Sequence, residues 1–123
     1  MADHSPGFLK LVDDAKRRIR ETTVEEVLAR RARGEPFHLV DVREESEFAI
    51  DRAAGAVYLG KGIIERDVEA RFPDLHTDLV LYCGGGFRSA LAADALQLMG
   101  YTRVSSLAGG IRAWRASSAP LER

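Results

Sequence analysis

The residues best suited to chemistry lie together in Tyr82-Cys83-Gly84-Gly85-Gly86-Phe87-Arg88-Ser89. Cys83 is the single cysteine of the 123-residue chain. Three glycines follow it at once, then Phe87 and Arg88. Glycine takes positive φ without a Cβ clash, so consecutive N–H groups can curl toward one centre. A helix opening just after such a turn adds free N–H groups and the positive end of its dipole. A cysteine at the mouth of that field favours its thiolate, the nucleophilic form, over the thiol that titrates near ~8.5 in free cysteine. Arg88 supplies a permanent charge and a planar fork of donors. The plainer alternative makes Cys83 a small core residue and the glycines a simple turn. The order cysteine, triple glycine, arginine, helix favours the reactive reading. Gly85→Val is then expected to distort the loop and lower activity, because positive φ is costly for a β-branched residue.

The flanking elements must place that loop. Leu79-Val80-Leu81-Tyr82 is an apolar run short enough for a buried strand. Ser89 to Leu98 is rich in Ala and Leu, with Gly100 as a helix-ending glycine. Upstream, Phe8, Leu11, Val12, Ala15 and Ile19 recur at helical spacing, either a lid on the core or a partner surface. Thr23 and Glu26 form a capping-box pattern for a helix that Gly34 ends. The basic run Arg30-Arg31-Ala32-Arg33 reads as a solvated helix end. Phe37 to Val42 and Gly55 to Leu59 are strand candidates, and Tyr101 to Leu107 holds another. Glu44 to Ile50, Ile63 to Phe72 and Ile111 to Arg115 are helical, with Phe48, Ile50 and Trp114 offered for packing. Pro120 to Arg123 is expected to fray. Alternation of strands and helices predicts an α/β fold with a mostly parallel sheet covered on both faces. Ligands then sit beyond the carboxyl ends of the strands, where Asp41 and Cys83 fall. Asp41 with Arg43 is either a structural ion pair or part of that crevice.

Composition narrows the partners. A net charge of −1 gives no ground for nucleic acid or an anionic membrane surface. No apolar run approaches the ~20 residues of a membrane span, and the N-terminus lacks signal-peptide features. A cytoplasmic location is expected. A lone cysteine excludes an internal disulfide or a multi-cysteine zinc site, and leaves no second thiol to resolve an oxidised Cys83. Any sulfur held there must pass to another molecule.

The chain resembles the rhodanese-like single-domain sulfurtransferases. The resemblance is carried by Asp41-Val42-Arg43-Glu44 with Glu47-Phe48, Gly55-Ala56, Tyr82 to Ala90, Met99-Gly100-Tyr101, and Leu107 to Ile111 with Trp114. It spans about Ile19 to Leu121, giving a domain over 19–123 and an amphipathic helical extension over 1–18. It implies a three-layer α/β/α domain with about five strands in a mostly parallel sheet. It implies that Cys83 accepts a sulfane sulfur as a persulfide and that the loop of Gly84, Gly85, Gly86, Phe87 and Arg88 cradles it. Arg52 stands where the family often has a histidine. With Lys61 and Arg66 it either lines the crevice and draws in an anion or lies on a solvated surface.

The expected reaction is two-step and ping-pong. Cys83 takes sulfur from thiosulfate or another persulfide donor and gives it to cyanide or a thiol, with no metal or cofactor. One alternative is a relay module that passes sulfur to a protein partner. Another is a small phosphatase or arsenate reductase. Similar-looking phosphatases carry five residues between cysteine and arginine; here there are four. No group suggests itself as the general acid for phosphoester cleavage. His4, His38 and His76 are given no role.

Overall fold

A computed structural model describes residues 4–123; Met1 to Asp3, the start of the expected extension, lie outside them. The elements run α1 (Pro6–Lys16), β1 (Arg20–Thr22), α2 (Val24–Ala32), β2 (His38–Asp41), α3 (Glu45–Ile50), β3 (Arg52–Ala53), β4 (Val57–Tyr58), α4 (Ile64–Arg71), β5 (Leu79–Tyr82), α5 (Phe87–Leu98), β6 (Val104–Leu107), α6 (Gly110–Ala116) and β7 (Leu121–Glu122). Five strands form one parallel sheet in the order β1-β6-β5-β2-β4. The expected α/β architecture is present. No helix among the described residues is long and apolar enough to cross a membrane.

The central strand shows how the layers form. All four residues of β5 are buried, and alternate side chains take opposite faces. Leu79 and Leu81 pack with Ile64 and Val68 of α4 and Leu96 of α5. Val80 and Tyr82 pack with Val24 and Val27 of α2 and with Ile111 and Trp114 of α6. A strand covered on both faces has no polar side to show, hence its unbroken apolar sequence. The Thr23 hydroxyl caps α2 by accepting from Glu26 N at 3.1 Å.

Several local expectations give way. The first helix stops at Lys16, so Ile19 lies beyond it, and Arg20–Thr22 becomes an edge strand. Those three polar residues carry no strand signal; β6 supplies the pairing. Ile50 is exposed, so the short α3 packs through Phe48 instead. The basic run is not free in solvent. Arg30 binds Asp78 at 2.6 Å, Arg31 donates to the Ala54 carbonyl at 2.7 Å, and Arg33 pairs with Glu26. The C-terminal residues do not fray. Ala53 pairs with Leu121 and Arg52 with Glu122 in an antiparallel ribbon. The Pro120 carbonyl accepts from Trp114 Nε1 at 2.7 Å and from Ala54 N at 2.9 Å. Local composition is blind to that fastening, because its partners lie far off in the chain.

Trp114→Phe removes the indole donor and leaves part of a buried site empty. Stability to urea is expected to fall by about 1–3 kcal/mol. An unchanged denaturation midpoint would show that this tie contributes nothing.

Candidate active site

Cys83 follows directly on β5, at the carboxyl edge of the sheet, and only 1% of its surface is exposed. The backbone of the next turn curls around its sulfur. Gly86 N donates to Sγ at 3.2 Å and Ser89 N at 3.4 Å. Gly86 has φ +96° and sits at the N-cap of α5, which therefore starts at Phe87, two residues before its Ala-rich run. Of the three loop glycines, only Gly86 has positive φ. The expectation placed on Gly85 is thus misplaced. A Cβ there would meet only Arg112 Nη1 at 3.8 Å, whereas at Gly86 it would press on Gly109 N and the Leu107 carbonyl.

A second helix start holds the loop from the other side. Ile111 N donates to the Cys83 carbonyl at 2.8 Å, and Arg112 N to that of Gly84 at 3.2 Å. This approach is so close that a Cβ on Gly110 would overlap the Cys83 carbonyl oxygen and the Gly84 carbonyl. The conformation is itself left-handed, with φ +54°.

Burial pushes the Cys83 thiol up. The Ser89 hydroxyl and the amides of Ser89, Gly86 and Gly85 outweigh it, so the pKa lies below the ordinary cysteine value. Ser89 was not singled out from the sequence, nor was Ser106. Ser89 Oγ lies 3.5 Å from Sγ and 2.8 Å from Ser106 Oγ, and both serines are fully buried. Their hydrogens can be counted. With a thiol, three hydrogens share two contacts: S–H donates to Ser89 Oγ, Ser89 donates to Ser106 Oγ, and the Ser106 hydrogen is left over. With a thiolate, Ser106 donates to Ser89 Oγ and Ser89 donates to sulfur, and every hydrogen is used. Among the described residues neither hydroxyl has another side-chain partner. The pair is therefore better used around the anion, which accepts where a thiol would also have to donate.

Arg88 folds back over the loop, and its Nη1 binds Glu47 Oε1 at 2.9 Å. This hydrogen-bonded ion pair raises the Arg88 pKa and holds the Glu47 carboxyl below its usual range. Glu47 also accepts from Glu44 N at 2.9 Å, which fixes it in the first turn of α3. Asp41 and Arg43 form a buried pair at 2.7 Å. Asp41 further accepts from Arg43 N at 2.9 Å and from the Tyr82 hydroxyl at 2.6 Å. Arg43 Nη2 reaches the Asp51 carbonyl at 2.7 Å, at the far end of α3. Neither residue lines the pocket above Cys83; they brace the element that carries Glu47. Arg52 is absent from that pocket too. Its guanidinium lies over the Phe48 ring, 4.5 Å from the centroid, and donates to the Phe48 carbonyl. Lys61 and Arg66 border a separate hollow beside Tyr58.

The pocket above Cys83 measures about 490 Å³. Its floor is Cys83, Gly84 and Gly85, with Arg88 alongside. Its walls include Phe87, Arg112, Phe8 and His4. Arg112, Phe8 and His4 were not expected there. His38 and His76 lie elsewhere, against Phe72 and Thr102. The site can hold an anionic sulfur by hydrogen bonds alone and admit a molecule of modest size.

Comparison with known proteins shows the family and the fold. The family model for the Rhodanese-like domain matches residues 23–117. A sulfurtransferase of Allochromatium vinosum is 34% identical over 103 residues, covering 84% of this chain and 94% of that protein. The senescence-associated protein DIN1 of Raphanus sativus is 30% identical over 112 residues, or 82% of this chain; the chain spans only 61% of the DIN1 length. A solved structure from Rhodopseudomonas palustris, RPA3614, is described as a protein of unknown function and possible tyrosine phosphatase. It matches at a TM-score of 0.84 and 28% identity, over 99% of each chain.

Two outcomes are expected. A hydrogen bond to a charged group contributes about 1.5–3 kcal/mol, so Ser89→Ala should raise the pH midpoint of Cys83 alkylation by about one unit or more. Ser106→Ala should raise it by a smaller amount, and identical profiles would remove the hydroxyl pair from the account. Asp41→Ala leaves the buried Arg43 charge unpaired and should cost about 3–5 kcal/mol in chemical denaturation.

Proposed function

We propose that this chain, which belongs to the rhodanese-like domain family, is a sulfurtransferase that carries sulfane sulfur on Cys83. The observation that carries the reading is the ring of donors around one buried sulfur. The amides of Gly86 and Ser89 point at Sγ, and the Ser89 hydroxyl lies within hydrogen-bond reach of it, an arrangement that favours an anion there. Cys83 S⁻ attacks the outer sulfur of thiosulfate; the new S–S bond forms as the donor's S–S bond breaks, and sulfite leaves with its electron pair. The Cys83 persulfide, again an anion, rests in the loop of Gly84, Gly85, Gly86, Phe87 and Arg88. Cyanide or a thiolate then attacks the outer sulfur and restores the Cys83 thiolate. No proton transfer is needed in either step, and the loop acts by fixed electrostatics. Arg88, steadied by Glu47, adds positive charge beside the loop. Asp41 and Arg43 position that pair and touch no substrate. A sulfur-acceptor protein fits the same chemistry, as does a cytoplasmic setting.

A loop with four residues between Cys83 and Arg88 suits one sulfur better than a phosphoryl group, which argues against phosphatase activity. Intact-mass measurement after incubation with thiosulfate tests the reading. The wild type should gain one sulfur atom, cyanide should remove it, and Cys83→Ala should gain none. No gain on a thiol that still alkylates, together with Cys83-dependent hydrolysis of an aryl phosphate, would overturn it.

A further inference from the structure

The reacting sulfur lies at the bottom of a pocket far larger than a thiosulfate ion needs. About 490 Å³ falls in the range of sites for small organic molecules. The upper wall is aromatic. The Phe87 ring lies 6.3 Å from Phe8 and 4.6 Å from the His4 ring, and His4 lies 5.3 Å from Phe8. Phe8 and Phe87 are half-buried and both line the pocket, with Lys16 Nζ over the Phe87 ring at 5.1 Å from its centroid. His4 and Phe8 come from the segment before residue 23, where the family match begins.

That segment is fastened in place. Val12 and Ala15 of α1 are buried. Arg18 binds Asp94 of α5 through two bonds, at 3.0 and 2.7 Å, and Gln97 donates to the Arg18 carbonyl at 3.1 Å. The helix that carries Phe8 is therefore seated on α5, and His4 packs against Phe8 and Phe87 just ahead of it. The charge at the mouth is also specific. Arg88 is already matched by Glu47. Arg112 is the pocket guanidinium with no ion pair among the described residues, and its Nη1 reaches over Gly85.

Resting on the sulfurtransferase reading, we propose that the N-terminal segment makes this site selective for organic sulfane-sulfur anions. The guest carries an apolar, ring-sized group on the side away from its terminal sulfur. Phe8, Phe87 and His4 receive that group, Arg112 attracts the negative charge, and the terminal sulfur reaches Cys83. A compact, strongly hydrated inorganic anion cannot use the aromatic wall. For a thiosulfonate, Cys83 S⁻ attacks the terminal sulfur of R–SO₂–S⁻, the S–S bond to Cys83 forms, and the bond to the sulfonyl sulfur breaks. A sulfinate leaves with the electron pair, and charge balances without an oxidant.

The test compares benzenethiosulfonate with methanethiosulfonate, which share the reacting group and differ in the ring. Second-order rates of persulfide formation on full-length protein are read by intact mass. The same two rates on a free thiol give the intrinsic ratio. The wild type should prefer the aryl donor by about tenfold beyond that ratio. Phe8→Ala should bring the preference back close to the free-thiol value. Arg112→Gln should slow both donors several-fold and leave the preference in place, which serves as the second variant should Phe8→Ala not fold. A wild-type ratio equal to that of the free thiol would overturn the inference while leaving sulfur transfer intact. Unchanged rates in Arg112→Gln would overturn the role given to its charge. Failure of both donors and of thiosulfate to load Cys83 would sink the underlying sulfurtransferase reading, and this one with it.

Discussion

A sulfur anion can be kept out of water only if fixed donors replace the water it gives up. Cys83, almost wholly buried, sets that demand, and the neighbouring backbone answers it from two directions. The turn into α5 points amide hydrogens at the sulfur, while the start of α6 points its own at the carbonyls of Cys83 and Gly84. One set of donors stabilises the charge; the other keeps the peptide planes from turning away. Both depend on close backbone approach, which is why Gly86 and Gly110 leave no room for a side chain.

The loop is also steadied laterally by charge. Asp41 collects hydrogen bonds from Arg43 and Tyr82, Arg43 reaches the end of α3, and the first turn of α3 presents Glu47 to Arg88. A buried carboxylate–guanidinium pair is poor evidence of stability in itself, since desolvation offsets much of the attraction. Its effect here is geometric. It ties the end of β2 to the end of α3 through the Asp51 carbonyl, while the Tyr82 hydroxyl joins Asp41 to β5.

Much of this was legible because local patterns and long-range packing agree. The apolar run Leu79 to Tyr82 had to be buried on both faces, and the glycines after Cys83 had to be a turn into a helix. What escaped was non-local. Arg20–Thr22 is a strand only because β6 lies beside it. Leu121 and Glu122 are ordered by Arg52 and Ala53. Which glycine bears positive φ depends on how closely Gly109 approaches, and no glycine advertises that. Ser89 and Ser106 meet across α5 and β6, and nothing in the spacing of two serines announces such a contact. His4 and Phe8 reached the pocket because α1 docks on α5, whereas an amphipathic helix read alone could equally have faced elsewhere.

Phe87 follows directly on the loop that holds the sulfur, whereas Phe8 and His4 reach the same pocket from α1 and the residues just before it. Substitutions in the first turn of α1 therefore reshape what is admitted without disturbing the groups that hold the sulfur. Such separation makes the site easy to diversify. The first turn of α1 can change the guest's surroundings while Val12 and Ala15, one and two turns on, keep the helix seated.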